Sequence, residues 1–286
     1  MLKLFTLLFL FCSASFASIH QEIKTIEQKS NSRLGVSAID TETGQLIEYR
    51  SQERFPFCST FKVMGVAAIL KANISDKSLL NREIHYMKKD LVEYSPITEK
   101  HIGDGMTVAE LCHATITTSD NTAMNLLMHI LGGPEAVSHF ARTIGDDRFN
   151  LTRWEPDLNS AIPGEKENTT TPKAMRVSLQ KLLLGSVLET KQKALLQNWL
   201  THNTTGDHRI RAGVPKHWTV ADKTGTGGYG TTNDIGILYP PRCKPIVLVV
   251  YFTQKEKNAT ANEAVIASVT KVLINQFEKT DKCLRK

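Results

Sequence analysis

The sequence predicts an α/β fold with an all-α lobe: an antiparallel β-sheet flanked by helices and carrying a large helical insertion. Strand patterns lie near both ends of the chain, at residues 33–49 and 218–252, and helical periodicity fills most of the chain between them. The 286 residues, 41% hydrophobic and 22% charged, suffice for a large core and exclude a disordered or fibrous protein. We therefore expect two lobes that share one site.

After a short helix around residues 20–30, the first strands form a predicted β-hairpin. Residues 33–40 and 45–49 flank the sequence Thr-Glu-Thr-Gly, with Gly44 at the turn. From there the pattern changes, because residues 59–203 place their apolar side chains at helical spacing.

The helical block carries its own start and stop signals. Thr107-Val-Ala-Glu110 is a capping box, a pattern that begins helices. Proline opens the first two of the helices that follow, and glycine comes just after them. These further helices are predicted at residues 134–144, 172–184 and 191–200.

Strand character returns late in the chain, and a helix follows it. These elements are predicted at residues 218–223, 233–239, 246–252 and about 262–277. The two ends of the chain must then pair into one sheet. We expect residues 18–58 and 206–286 to form the α/β sheet domain, and residues 59–205 to form the helical domain.

Residues 1–17 have the pattern of a secretory signal peptide. Lys3 precedes an apolar run over residues 4–11, and small residues lead to a cleavage site after Ala17. The run is shorter than the roughly 20 residues that span a membrane. We therefore expect a periplasmic or secreted protein without a membrane anchor once the signal peptide is removed.

The formal net charge is +6, but its distribution argues against a nucleic-acid partner. Basic residues are scattered, with Lys88-Lys89 as the densest pair, whereas nucleic-acid binding needs a basic stripe with interleaved aromatic residues. The nine histidines form neither H-x-H nor H-E-x-x-H, so we expect no metal. We also expect no cofactor, because the sequence has no nucleotide-binding glycine motif.

Four cysteines remain once the signal peptide is removed: Cys58, Cys112, Cys243 and Cys283. Export makes disulfides possible. Four cysteines allow three full pairings, and each is equally well explained as a small buried hydrophobic residue.

Three short motifs carry the candidate chemistry: Ser59-Thr-Phe-Lys62, Ser119-Asp-Asn121 and Lys223-Thr-Gly225. A serine is a poor nucleophile until a neighbouring amine accepts its proton, and a spacing of three residues puts Ser59 and Lys62 on one helix face. Singly, such motifs are more often a helix cap, a polar turn and a glycine-rich hairpin turn. Together, on a helix start, a loop and a strand end, they form the signature of penicillin-recognising serine enzymes.

Along essentially its whole mature length the sequence resembles the class A serine β-lactamases. Arg153-Trp-Glu-Pro-Asp-Leu-Asn159 matches the family's active-site Ω-loop, here about residues 150–170 of the helical domain. The segment Thr205-Gly-Asp-His-Arg-Ile-Arg-Ala-Gly213 resembles the subgroup, including several carbapenem-hydrolysing members, in which an arginine of this segment binds the substrate carboxylate.

The resemblance implies four catalytic residues, which are Ser59, Lys62, Ser119 and Glu155. Ser59 attacks the lactam carbonyl, and Ser119 relays a proton toward the departing nitrogen. Glu155, helped by Asn159, activates the water that releases the product. Whether Lys62 or Glu155 deprotonates Ser59 during acylation is left open by the sequence. The resemblance also implies a cis bond between Glu155 and Pro156.

The implied substrate-binding residues surround the same site. Backbone N–H groups of Ser59 and Thr226 hold the oxyanion. Asn121 binds the side-chain amide of the substrate. Arg209 binds its carboxylate together with Lys223, Thr224 and Thr226. Arg211 has a structural or solvated role. The full set, which places an aromatic residue at the entrance, is Tyr94, Asn121, Asn159, Thr205, Arg209, Lys223, Thr224, Gly225 and Thr226.

The Ω-loop departs from the family pattern at one position. Asn168 stands where an aspartate usually pairs with Arg153. A neutral hydrogen bond contributes ~0.5–1.5 kcal/mol where a charged one contributes ~1.5–3 kcal/mol. We therefore expect a looser Ω-loop that tolerates bulky substrate side chains.

The cysteines depart from the pattern as well. Carbapenem-hydrolysing relatives often bond the cysteine before the nucleophile to one after K-T-G-T, and Gly227 occupies that second position here. Cys112 likewise lacks a partner, since Val66 stands where many relatives have cysteine. Cys243 and Cys283 lie at ends that an antiparallel return brings together, so these two can pair.

The sequence thus predicts a monomeric, exported enzyme that hydrolyses small-molecule β-lactam antibiotics: penicillins, cephalosporins and, as a further candidate class, carbapenems. One alternative is a cell-wall transpeptidase or carboxypeptidase, but those enzymes lack the pair formed by Glu155 and Asn159 and deacylate slowly. The other is a non-catalytic β-lactam sensor, whose expected membrane anchor or output domain is missing from the sequence.

Overall fold

A computed structural model describes residues 19–285, in which both ends of the chain contribute to one antiparallel β-sheet. The predicted signal peptide at residues 1–17 lies outside the described residues. Within the described range the strands are β1 (Ser32–Asp40), β2 (Leu46–Tyr49), β3 (Phe55–Pro56), β4 (Glu83–Ile84), β5 (Met106–Thr107), β6 (Thr169–Thr170), β7 (Thr219–Thr226), β8 (Thr232–Tyr239) and β9 (Ile246–Gln254). The main sheet has the order β2-β1-β9-β8-β7, which confirms the predicted pairing of the chain ends.

Helices occupy most of the chain between β3 and β7 and pack on one face of the sheet. The helices at the two ends of the described range pack on the other face. Over residues 19–285 the helices are α1 (described over 19–29), α2 (Lys62–Ser75), α3 (Val108–Thr117), α4 (Asn121–Leu131), α5 (Pro134–Thr143), α6 (Pro172–Leu179), α7 (Thr190–Thr201) and α8 (Glu263–Thr280). A π-helical turn, Gln180–Leu184, extends α6 to the predicted end of that helix. Short 3₁₀ turns lie at Cys58–Phe61, Leu79–Asn81, Lys88–Asp90, Thr98–Lys100, Asp157–Ser160 and Ile210–Gly213.

Strand β9 packs against a hydrophobic core on each face of the sheet. Its run Ile246–Phe252 is continuously apolar and fully buried, as expected for a strand covered on both faces. Val249 and Tyr251 pack into the cluster shared with the helices of the insertion, whereas Val250 packs into the cluster shared with α8. Each such buried side chain contributes roughly 1.5–3 kcal/mol.

The first turn of the helical block is tighter than predicted. Helix α2 begins at Lys62, after the 3₁₀ turn Cys58–Phe61, and not at Ser59. The turn tightens because the N–H and the hydroxyl of Thr60 both donate to Phe57 O. In a 3₁₀ turn side chains three residues apart eclipse one another, so Ser59 and Lys62 still lie on one side.

The predicted caps are present at α3 and α4. The Thr107 hydroxyl accepts a bond from Glu110 N at 3.2 Å, and the Glu110 carboxylate accepts one from Thr107 N at 2.7 Å. Asp120 caps α4 by accepting from Ala123 N at 2.8 Å. The S-D-N motif is therefore a capping turn, whatever else it does.

The division into domains at residues 58/59 and 205/206 stays a prediction. The predicted boundaries agree with the position of the sheet along the chain, since β1 and β7–β9 lie outside residues 59–205. None of the helices described over residues 19–285 is long and apolar enough to cross a membrane.

A disulfide joins Cys243, in the turn between β8 and β9, to Cys283, just after α8. This is the pairing that the antiparallel return predicted. Cys58 and Cys112 are buried and unpaired within the described part of the chain, in line with the missing partners at Gly227 and Val66.

We expect Cys283→Ser to lower the free energy of unfolding by ~2–4 kcal/mol, because the cross-link restricts an unfolded chain over a separation of 40 residues. Urea unfolding measures this change; thiol reductant should lower the stability of the wild type by a similar amount and leave that of the variant unchanged. Without reductant, denatured protein lacking residues 1–17 should alkylate at Cys58 and Cys112 alone. Alkylation at all four cysteines would contradict the pairing.

Candidate active site

The candidate nucleophile, Ser59, lies where the sheet meets the helical block. The 3₁₀ turn exposes its hydroxyl to a cavity of about 1200 Å³ and turns Lys62 to the same side, beneath it. Ser59 Oγ donates to Glu155 Oε1 at 3.4 Å. The same oxygen lies 3.0 Å from Lys62 Nζ, so one carboxylate contacts both side chains.

The amine of Lys62 is fully buried and held by oxygen atoms. It donates to Ser119 O at 2.7 Å and to Asn121 Oδ1 at 2.6 Å, in addition to its ion pair with Glu155. Burial lowers the pKa of Lys62, and the Glu155 charge opposes that shift without cancelling it. The neutral amine that can accept a proton is therefore favoured relative to an exposed lysine.

Glu155 is fixed by two asparagines. Its backbone is clamped by Asn125, which accepts from Glu155 N at 3.0 Å and donates to Glu155 O at 2.9 Å. Asn159 Nδ2 donates to Glu155 Oε2 at 2.5 Å. Asn159 Oδ1 is buried and has no partner among residues 19–285, so an acceptor stands beside the carboxylate. The bond between Glu155 and Pro156 is cis, as the resemblance implied.

Ser119 lies between two lysine amines. Its hydroxyl accepts from Lys223 Nζ at 3.0 Å and lies 3.3 Å from Lys62 Nζ. Burial lowers the pKa of Lys223 well below its usual range, and the positive charge of Lys62 adds to the shift. The Ser119 backbone has φ +63°, a left-handed conformation that is strained for a serine and is typical of functional sites.

Strand β7 runs directly against the nucleophile turn, which is the 3₁₀ turn Cys58–Phe61. A Cβ atom at Gly225 would lie 2.7 Å from Phe57 O and 3.1 Å from Ser59 N, so glycine permits this approach. Asn233 of β8 secures the contact by donating to Phe57 O at 3.1 Å. The residue after Gly225, Thr226, therefore borders the nucleophile turn.

Arg209 reaches the cavity from the segment before β7. Its Nε donates to Glu263 at 2.9 Å, its Nη1 to Gly225 O at 2.9 Å and its Nη2 to the Thr226 hydroxyl at 2.8 Å. Arg211 instead donates to Asp222, a buried residue of β7, at 2.7 Å. The two arginines thus differ in surroundings: Arg209 lines the cavity, and Arg211 does not line it.

The cavity gathers the residues predicted for the site. Lys62, Glu155 and Lys223 lie buried beneath it, and Tyr94 stands 56% exposed at its mouth. Among residues 19–285, no group of three or more His, Cys, Asp or Glu side chains could hold a metal ion. The predicted residues that line the cavity are Ser59, Tyr94, Ser119, Asn121, Asn159, Thr205, Arg209, Thr224, Gly225 and Thr226.

Comparison with known proteins agrees with this geometry. A family model described as the Beta-lactamase enzyme family matches residues 18–277. The chain is 52% identical to β-lactamase OXY-2 of Klebsiella oxytoca, over 91% of this chain and 90% of that protein. The structure of an ancestral (GNCA) class A β-lactamase matches with a TM-score of 0.87 and 53% identity, over 90% of this chain and 99% of the ancestral one.

The chain belongs to the class A β-lactamase family. Two further relatives have similar coverage. β-Lactamase CTX-M-97 of Escherichia coli is 50% identical over 95% of both chains. The crystal structure of a β-lactamase from Desulfarculus baarsii matches with a TM-score of 0.91 and 47% identity, over 92% of this chain and 98% of the other.

The Ω-loop of this β-lactamase is anchored differently from the sequence expectation. Arg153 pairs with Glu165 at 3.2 Å and with Glu167 at 2.8 Å, so it is not left with a neutral bond. Asn168 accepts from Arg153 N at 3.1 Å, which binds the backbone of the loop's two ends together. The basis for expecting a looser loop was therefore wrong, because carboxylates next to position 168 replace the missing aspartate.

The turn after β7, residues 227–231, contacts the Ω-loop at Asn159. Gly228 N donates to Asn159 O at 2.9 Å. A Cβ atom at Gly227 would lie 2.6 Å from both Asn159 O and Cys58 Sγ, so a side chain there would force the turn and the loop apart. Burial raises the pKa of the Cys58 thiol, which keeps it protonated beside the nucleophile.

Several residues that shape the site escaped the sequence analysis. Asn125 had a weak signal, since it lies one helical turn after Asn121 on the same face of α4. The others sit in unremarkable local sequence, and tertiary packing alone reveals them. They are Glu93, Asn203, Asp222, Asn233 and Glu263.

We expect Glu155→Gln to lower the pKa of Lys62 further. The Glu155 charge raises that pKa in the intact protein, and without it burial acts unopposed. A ¹³C NMR titration of protein labelled at lysine Cε measures the pKa, with Lys62→Arg to assign the resonance and Glu165→Gln as a control. A pKa of Lys62 that rises in Glu155→Gln would contradict this electrostatic arrangement.

We expect the double variant Glu165→Gln/Glu167→Gln to loosen the Ω-loop. Each partly exposed pair with Arg153 contributes ~0.2–1 kcal/mol, so amide hydrogen exchange over residues 153–168 should accelerate by roughly two- to thirtyfold when both are lost. Mass spectrometry of peptic fragments measures the rates, and Glu256→Gln is the control. Unchanged exchange in the double variant would show that these pairs do not anchor the loop.

Proposed function

We propose that this β-lactamase hydrolyses the lactam ring of penicillins and cephalosporins through an acyl-enzyme on Ser59. One observation carries the proposal: Glu155 Oε1 lies 3.4 Å from Ser59 Oγ and 3.0 Å from Lys62 Nζ. A single buried carboxylate thereby reaches both the nucleophile and its neighbouring amine. Such an arrangement supports proton transfer in two successive steps.

In the first step Ser59 Oγ attacks the lactam carbonyl carbon while its proton passes to the neutral amine of Lys62. The negative charge that develops on the carbonyl oxygen is stabilised by the N–H groups of Ser59 and Thr226; loss of one such donor typically costs ~10²–10³ in rate. The C–N bond then breaks, and Ser119 gives its proton to the nitrogen. Lys62, 3.3 Å from Ser119 Oγ, returns the proton that it took.

In the second step water hydrolyses the ester. Glu155 accepts a proton from the water, and the resulting hydroxide attacks the acyl carbon. Asn159 supports this role, because it holds Glu155 Oε2 and keeps an acceptor oxygen beside it. The Ser59 oxygen leaves and regains the proton, which restores the enzyme.

The substrate carboxylate is recognised by the positive end of the cavity. We propose that Arg209 supplies the charge and that Lys223, Thr224 and Thr226 donate hydrogen bonds. We propose on this basis that the protein belongs with the subgroup that carries an arginine in the T-G-x-H-R-I-R-A segment. Asn121 and Tyr94 also line the cavity, and we propose that they contact the substrate side chain.

We further propose that the mature enzyme is an exported monomer, periplasmic or secreted. The pattern of residues 1–17 supports export. The disulfide between Cys243 and Cys283 supports an oxidising compartment.

The test is a chromogenic cephalosporin mixed with the wild type and with Glu155→Ala. The wild type should turn over many equivalents, because Glu155 activates water. The variant should stop after about one equivalent and gain the mass of one opened substrate, localised to the peptide with Ser59 by digestion.

Two outcomes would favour the alternatives. A wild type that stops after one equivalent would indicate a non-catalytic sensor. A wild type that cleaves a D-alanyl-D-alanine peptide faster than the cephalosporin would indicate a cell-wall carboxypeptidase.

A further inference from the structure

Helix α4 holds the Ω-loop at two successive residues, Trp154 and Glu155. Asn125 exchanges two hydrogen bonds with the Glu155 backbone, accepting from its N–H at 3.0 Å and donating to its carbonyl oxygen at 2.9 Å. One helical turn later, the ring of His129 stacks on the indole of Trp154, with ring centroids 4.4 Å apart and an interplanar angle of 30°. Residues four apart share a helix face, so one face of α4 makes both contacts.

The end of α4 lies against the same indole. Gly132 closes the helix in a left-handed conformation with φ +98°, and its N–H donates to His129 O at 3.2 Å. A Cβ atom at Gly133 would lie 3.9 Å from Trp154 Cζ2, which is an ordinary van der Waals contact. The indole therefore lies close to the turn after α4 as well as to the His129 ring, although His129 itself is exposed.

The two contacts restrain different motions of the loop. The paired hydrogen bonds to Glu155 fix one residue but leave the segment able to pivot about it. A ring contact at the preceding residue opposes that pivot, which would move the Glu155 carboxylate from its place 3.0 Å from Lys62 Nζ and 3.4 Å from Ser59 Oγ. Misplacing a reacting group by ~1 Å can cost about 10²-fold in rate, so even a small pivot matters.

The charge of a histidine does not account for this contact. His129 lies in the last turn of α4, where a basic side chain interacts favourably with the helix dipole. That interaction requires a cation at the helix end and no ring on the neighbouring loop. The stacking on Trp154 is therefore a separate property of this side chain.

We infer that His129 is a positioning residue for deacylation: by stacking on Trp154 it keeps the Glu155 carboxylate where that group activates the hydrolytic water. The role rests on the proposed function, in which Glu155 activates water and Lys62 takes the proton of Ser59. Acylation is then independent of His129, since Ser59 and Lys62 lie on the nucleophile turn and on α2 and not on the Ω-loop.

The decisive variant is His129→Ala. Its rate constant for deacylation of the chromogenic cephalosporin should fall by roughly two- to tenfold, the factor that one ring pair contributes. Rapid quenching followed by intact-mass measurement gives this constant as the decay of the acyl-enzyme. The ratio kcat/KM, which reports binding and acylation, should stay at the wild-type value. His139→Ala, which removes an exposed histidine from α5, is the matched control and should change neither quantity.

Two comparisons separate the ring contact from charge and from a general disturbance. His129→Phe keeps a ring and should deacylate as the wild type does, whereas His129→Gln is polar without a ring and should behave as His129→Ala. In the Trp154→Ala background, His129→Ala should have no further effect because its partner is already gone. Slow deacylation in His129→Phe, equal effects of His129→Ala in both backgrounds, or a parallel fall in kcat/KM would overturn the inference.

The wild-type assay keeps the two proposals apart. A wild type without turnover would refute the proposed function. A wild type that turns over, together with unchanged deacylation in His129→Ala, would refute the positioning role alone.

Discussion

The amine of Lys62 sits fully buried beneath Ser59, and the site is organised around satisfying it. Removing an ammonium group from water costs several kcal/mol unless oxygen atoms replace its hydration. Here Ser119 O, Asn121 Oδ1 and Glu155 Oε1 do so, and they come from the S-D-N turn and from the Ω-loop. One buried side chain therefore requires three separate segments to meet at one point, and burial lowers its pKa where a proton acceptor is needed.

The rest of the fold holds those segments at the right separation. Strand β7 supports the site from the sheet side because Gly225 and Asn233 bring it against the nucleophile turn. The Ω-loop is held at its base by Arg153 and on its inner side by the turn after β7. The cavity lies between these supports, so the chemistry depends on contacts between the sheet and the helical insertion rather than on either part alone.

The sequence predicted the elements and the motifs well because their signals are local. Strand alternation, the Thr107 capping box and the three motifs depend on residues close together in the chain. The missed features depend on contacts across the fold: Asn125 clamps a loop 30 residues away, and Asn203 donates to Asp222 on a strand that it meets only after folding. The partners of Arg153 were misjudged for a related reason, since the family pattern named one position while geometry allowed two neighbouring carboxylates to replace it.

The most direct test of this arrangement is a crystal structure of Glu155→Gln soaked with a cephalosporin. With Lys62 still beneath Ser59 and water activation removed, we expect a covalent bond from Ser59 Oγ to the opened lactam carbonyl carbon. The carbonyl oxygen should lie between Ser59 N and Thr226 N, and the carboxylate beside Arg209 and Thr226. An intact ring in the cavity, or an adduct on any other residue, would contradict it.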